Sequence, residues 1–249
     1  MKALTAEELL NAWEQGIHQP LLQRVLMLLA VTLPDVGADG IMKCSIGQRD
    51  YHLLKLRQQL FGTELQNATH CPNCQAQVEW INSTTDFLDQ ADISEQEGNR
   101  HVIDIDEYRL HFRLPNSIDI DVATQLNANA QAVQLLISRC LLSVEYAGEE
   151  LDVDQHQALP DAVAQQLGKQ IERLDPLSDI RIQLCCPECS HQWDALFDIS
   201  SFLWKEINSW AEQMLQNIHR LAAAYGWSER EILRLSPVRR QLYLGMIGQ

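Results

Sequence analysis

Two stretches of this chain share a frame: HCPNCQAQVEW at residues 70–80 and CCPECSHQWDALF at 185–197. Each has a C-P-x-C turn, a few polar residues and then a tryptophan in an alternating run. Thiolates bind Zn²⁺ tetrahedrally with Zn–S near 2.3 Å, and one C-x-x-C turn supplies two corners of that tetrahedron. Cys71, Cys74, Cys186 and Cys189 supply all four, with proline at the same place in both turns. The expected ligand is one structural Zn²⁺ per chain. A redox dithiol needs only one such turn, and neither turn sits in a thioredoxin-like βαβ pattern. An iron–sulfur cluster is the other reading of four cysteines. Catalytic zinc keeps an open position, whereas four cysteines close the shell. No H-x-E, H-E-x-x-H, G-x-S-x-G, P-loop or G-x-G-x-x-G pattern occurs, so the sequence predicts no enzyme.

The remaining thiols have simpler readings. Alignment of the two turns puts Cys185 opposite His70, just ahead of the ligand pair, as a spare packed thiol. It replaces Cys186 only if the turn stretches to C-x-x-x-C. His70 and His191 are near enough to be substitute ligands or donors to the sulfurs, but packing beside the site is the plainer role for each. Cys44 and Cys140 read as small core residues.

The elements that position these cysteines follow from pattern. Strands lead into and out of each turn, LQNATHC and AQVEWIN around the first, DIRIQLC and HQWDALFDI around the second, as in a zinc ribbon. The predicted class is α+β, mainly α-helical, with a ribbon of two C-P-x-C knuckles and an inserted α/β subdomain between them. The expected regions are an N-terminal helical part at 1–62, ribbon halves at 63–83 and 180–199, the insertion at 84–179, and a C-terminal helical part at 200–249. Thr5 with Glu8 and Ser45 with Gln48 read as capping boxes, and Gly16 and Gly62 as stops. The stretch PDVGADG between the second and third helices reads as a turn. On the helix after Ser45, Leu53, Leu54, Leu56, Leu60 and Phe61 form an apolar stripe. Arg49, Asp50, Lys55 and Arg57 are assigned to a solvated face.

Within the insertion, RHVIDIDEYRLHFRLP predicts a hairpin breaking at Asp106–Glu107. SIDIDVATQL, NAQAVQLLISRCLL and LPDAVAQQLGKQIERLDP predict helices, and DQADISEQEGN and AGEELDVDQHQ predict exposed, mobile loops. Ser200 or Ser201 is expected to cap a long helix with a seam of Leu203, Ile207, Trp210, Met214, Ile218, Leu221 and Tyr225, stopped by Gly226. Ser228 with Glu231 caps the next helix, and Pro237 opens the last.

Composition excludes some partners. Nineteen Lys and Arg against 34 Asp and Glu give a formal net charge of -15. Such a chain repels phosphate backbones and anionic lipid, so nucleic acid and membrane surfaces are poor partners. The N-terminal stretch has no h-region or cleavage site, and the most apolar run, Val25 to Leu33, is far shorter than the roughly 20 residues of a span. The expectation is a cytoplasmic protein, or part of an assembled particle, whose seven cysteines are not a secreted disulfide framework.

Two segments carry a family resemblance. IGQRDYHLLKLRQQLFGTEL running into CPNC resembles proteins encoded beside contractile phage tails and phage-tail-like injection systems. They share a G-x-R-D-x-x-L-L-x-L-R segment, a phenylalanine–glycine stop and a C-P-x-C knuckle. LAAAYGWSEREILRLSPVRRQLYL resembles that family's C-terminus, and the family is distantly similar to T4-type baseplate hub assembly proteins. The resemblance covers roughly 41–83 and 180–249, not 84–179, and implies a baseplate component or assembly factor with other tail proteins as partners. Beside it, Trp227, Tyr243, Arg239 and Arg240 are residue types that anchor interfaces and are the expected contacts. Self-association through the C-terminal helix is a second use of its seam. The alternatives are a zinc-ribbon adaptor or regulator of another machine, for which Arg230, Arg234, Arg239 and Arg240 would be the basic face, and a metal-dependent hydrolase with ligands in the insertion.

Overall fold

The computed structural model describes residues 1–89, 100–126, 129–151 and 159–247. The fold is α+β, and the chain divides into two compact units, 1–35 with 199–249 and 36–198. The smaller unit is thus assembled from two separated stretches, while the larger is continuous.

In the smaller unit, α1 (Ala6–Gly16) starts in the capping box of Thr5 and Glu8, and α2 (Leu21–Thr32) follows Pro20. Within the larger unit, α3 (Gly37–Lys43) occupies most of the stretch read as a turn, so its two glycines do not prevent a short helix. The box of Ser45 and Gln48 then opens α4 (Ile46–Phe61), and Gly62, at φ 87°, ends it in a conformation open to glycine. Strands β1 (Glu64–His70) and β2 (Gln77–Ser83) pair antiparallel around the first cysteine turn, and α5 (Thr84–Leu88) follows.

The predicted hairpin is present as β3 (His101–Ile105) and β4 (Tyr108–Phe112), with Asp106 at φ 52° in the turn. Helices α6 (Ser117–Thr124) and α7 (Asn129–Cys140) come next. Here the sequence reading misses two strands, β5 (Leu141–Tyr146) and β6 (Glu149–Leu151). They complete a four-stranded sheet of order β3-β4-β5-β6. Part of the stretch read as a loop at 147–157 is therefore strand. The rest, like nearly all of the loop assigned to 89–99, lies outside the described residues. Helix α8 (Asp161–Leu174) lays Val163 and Leu167 on Ile105, Leu110, Phe112 and Val144 of the sheet. A short 3₁₀ turn at Pro176–Ser178 leads to β7 (Ile180–Cys185) and β8 (Gln192–Phe197), paired antiparallel around the second cysteine turn.

The smaller unit resumes with α9 (Ile199–Tyr225), which begins before the expected cap, so Ser200 and Ser201 sit in its first turn. Helices α10 (Glu229–Leu233) and α11 (Pro237–Met246) carry the predicted Ser228–Glu231 box and first-position proline. Leu203, Ile207, Ala211, Met214, Ile218 and Leu221 of α9 are buried, and α9 packs against α1, α2, α10 and α11. The seam is thus filled by this chain's own helices. Trp210 is half-buried in it and Tyr225 is exposed.

Candidate metal centre

The two cysteine turns have one backbone. In the first, Cys71 N–H donates to the Ala76 carbonyl at 2.9 Å and Gln75 N–H to the Cys71 carbonyl at 2.9 Å. In the second, Cys186 N–H donates to the His191 carbonyl and Ser190 N–H to the Cys186 carbonyl, again at 2.9 Å. Gln75 at φ 62° and Ser190 at φ 58° hold the same left-handed position. Non-glycine residues seldom adopt that conformation, and here it turns the chain just after the second cysteine, so that the next carbonyl, of Ala76 or His191, accepts from the first cysteine's N–H. The flanking registers match too, with His70 opposite Gln77 and Cys185 opposite Gln192.

These turns place Cys71 and Cys186 in the interior, at 0% and 1% exposure, against Val78 and the half-buried Trp193. All four sulfurs lie within 4.8 Å of one another. Cys71 Sγ is 3.7 Å from Cys189 Sγ, and Cys74 Sγ is 3.6 Å from Cys186 Sγ. No disulfide joins them. A regular tetrahedron with about 2.3 Å metal–sulfur bonds has edges of about 3.8 Å. The donors therefore fit a single tetrahedral ion, and the cluster could hold one. Four thiolates this close repel one another unless a cation lies between them. The Asn73 amide, donating at 3.5 Å, and the His191 backbone N–H draw Cys189 down to about 6. Cys74 receives the Ala76 N–H, but its thiol contacts, led by Cys189, push it up to about 12.

The other candidates fall outside the cluster. Cys185 is exposed, not packed as expected, with its sulfur 4.0 Å from the Cys186 carbonyl. His70 and His191 are exposed, and His191 stacks beside Trp193 at 6.0 Å between ring centroids. Cys140 is fully buried and Cys44 half-buried.

A family model described as T4 bacteriophage base plate protein matches residues 8–204. The chain belongs to this family. No curated protein and no solved structure matches it. Membership carries a structural or assembly role in a phage baseplate, with tail or baseplate proteins as the natural partners. Among the described residues no helix is long and apolar enough to cross a membrane. The matched span includes 84–179, which the motif resemblance left out, and stops before the C-terminal stretch on which that resemblance also drew.

A second feature of this baseplate-family chain escaped the sequence reading. Of the charges assigned to a solvated face of α4, Arg49, Asp50 and Arg57 are buried, at 9%, 6% and 3% exposure. The buried arc of α4 spans about half its circumference, wider than the leucine stripe predicts. Arg49 Nε donates to Asp50 Oδ1 at 2.7 Å, and Arg57 Nη1 to the Gly62 carbonyl at 2.7 Å. Burial pushes the Asp50 carboxyl up to about 6, against the pull of Arg49. Asp175, 5% exposed, sits at the start of α4. Its Oδ2 accepts from Gly47 N–H at 2.9 Å and its Oδ1 from the Ser45 hydroxyl at 3.1 Å. A Cβ on Gly47 would lie 1.9 Å from Asp175 Oδ1, which is why glycine stands there. A similar buried carboxylate, Asp119 of α6, accepts from Arg113 Nη2 at 2.9 Å and Arg139 Nε at 2.8 Å, tying α6 to α7 and to the residue that follows β4.

The expected contact residues have mixed surroundings. Trp227 and Tyr243 are half-buried and pack edge-on, 4.9 Å apart, beside the Leu221, Ile232 and Leu244 cluster. Arg239 is exposed, but Arg240 is only 5% exposed, so it lies inside its unit instead of on the surface.

Proposed function

We propose that Cys71, Cys74, Cys186 and Cys189 bind one structural Zn²⁺, which closes the hairpins at 63–83 and 180–199 into a zinc ribbon around the 84–179 insertion. The protein then serves as a non-catalytic baseplate component or assembly factor of a contractile, phage-tail-like injection system. The observation that carries the site is the set of four sulfurs converging from two turns of identical backbone. Family membership carries the role. Four thiolates complete zinc's coordination and leave no vacancy for substrate or water, so the metal ties two turns with 111 residues between them, in a chain whose part is to be a rigid adaptor.

Elemental analysis of protein purified without added metal should give one zinc per chain. Absence of metal, or iron in its place, removes the zinc assignment. Deletion of the coding sequence in the native host should abolish assembled, contractile particles while leaving sheath and tube proteins expressed. Normal particle yield removes the assembly role.

A further inference from the structure

The C-terminal part of the smaller unit carries a charge pattern opposite to the rest of the molecule. From Arg220 onward there are five arginines and two glutamates, a net of +3, within a chain of net charge -15. The fold does not neutralise them. Arg230, Arg234 and Arg239 are exposed, and none of them makes an ion pair among the described residues. Buried Arg240 leaves its Nη1 without a hydrogen-bond partner, and loss of solvent pulls its pKa down. Water solvates the three exposed arginines, and together they leave a positive patch, unmatched within the chain, that an anionic partner can neutralise.

An apolar face lies on the helix that follows Arg230 and Arg234 and carries Arg239. On α11, Val238, Leu242 and Met246 are 70%, 59% and 57% exposed. At spacing i, i+4, i+8 they form a single ridge about 12 Å long, and Arg239 borders it on one side. The opposite side of α11 is the one that buries Arg240 and Leu244. An i±4 ridge is complementary to the groove of another helix.

We infer that the Val238–Leu242–Met246 ridge of α11, with Arg239, Arg234 and Arg230, docks an acidic amphipathic helix of a different protein. Charge complementarity selects that occupant: carboxylates along the docked helix meet arginines that nothing in this chain meets, while its apolar side covers the ridge. A second copy would bring the same arginines and no matching carboxylates to the ridge, so self-association is disfavoured. The inference rests on the assembly reading for the identity of that protein as a baseplate component, but not for its chemistry. The surface lies beyond the residues that the family model matches.

The test places the photo-crosslinking residue p-benzoylphenylalanine at Leu242 in the full chain, expressed in the native host, and maps the adduct by mass spectrometry. A parallel chain carries it at Gln216, an exposed position of α9 outside the ridge. The expected adduct forms only from position 242, with an acidic helical segment of another protein. Its yield falls severalfold with Arg239→Glu or Arg234→Glu and at raised salt, while the variants keep the wild-type melting temperature. Adducts with a second copy, with a neutral or basic segment, equally from position 216, or none at all overturn the inference. An acidic helix from a protein unrelated to the tail keeps the docking chemistry and removes the baseplate role instead.

Discussion

The larger unit is tied across long stretches of chain in two places, by opposite chemistry. At one, four thiols from residues 71–74 and 186–189 meet in a cluster suited to a cation. At the other, the carboxylate of Asp175 reaches the N-terminus of α4 and takes the Gly47 N–H and the Ser45 hydroxyl. Both bring a residue pair more than 110 positions apart within hydrogen-bonding range. The first assembles identical donors that need an added ion to hold their charge. The second uses an anion the chain supplies, placed where backbone donors and the helix dipole already favour it. A tie of the first kind depends on metal supply. The second depends on pH and on the absence of a single methyl group.

The sharpest break in that comparison is at the cysteines. Cys186→Ser should lose the zinc and destabilise the protein by about 5 kcal/mol, less than the roughly 10 kcal/mol of isolated zinc-finger peptides because a core already exists. Thermal melting with and without chelator checks this: chelation should lower the wild type to the variant's midpoint and leave the variant unmoved. Next comes the carboxylate tie. Gly47→Ala sets a methyl against Asp175 and should cost about 3 kcal/mol by overpacking and loss of the cap. In an Asp175→Ala background the same change should cost much less, and denaturant unfolding of the double-mutant cycle measures the coupling.

The two ties were unequally legible. Repeated C-P-x-C turns announce themselves because the ligand pair is local, and so do the capping boxes at Thr5, Ser45 and Ser228, where both partners lie within four residues. Asp175 gives no such signal, because its partners are fixed by the path of the intervening chain. Only Gly47, a glycine in the first turn of a helix, hinted at a close approach. The burial of Arg49, Asp50 and Arg57 ran against the rule that charge faces water, since each is satisfied by a partner the pattern does not reveal. Strand β5 was hidden because Leu141 continues the apolar run of α7 without a break.

A smaller effect, set by pH, belongs to a buried carboxylate of α4 that is part of neither tie. Burial raises the Asp50 carboxyl to about 6, so the folded state binds its proton more tightly than the unfolded chain, whose value is 3.8. Lowering the pH from 7 to 5 should therefore stabilise the wild type relative to Asp50→Asn by about 1.4 kcal/mol, and the gain should saturate below 3.8. Urea midpoints of both proteins across that range test the sign, and a difference that falls on acidification would refute it. The smallest change is expected at Cys185. Exposed and outside the cluster, it should tolerate Cys185→Ser with full metal content and a stability change under about 0.5 kcal/mol. Loss of metal in that variant would move the fourth ligand from Cys186 to Cys185.

The division of the smaller unit between the two ends of the chain governs the order in which a ribosome can finish the molecule. Helices α1 and α2 emerge early, but α9, the long helix packed on α2, begins only after residues 33–198 have been made. At synthesis rates of about 5–20 residues per second, that wait is on the order of ten seconds. Throughout it the faces of α1 and α2 that pack on α9 have no partner from their own unit, and by its end every residue of the continuous unit, both cysteine turns included, has been made. Translation thus leaves the α9-facing sides of the first two helices open to chaperones or premature partners for that interval.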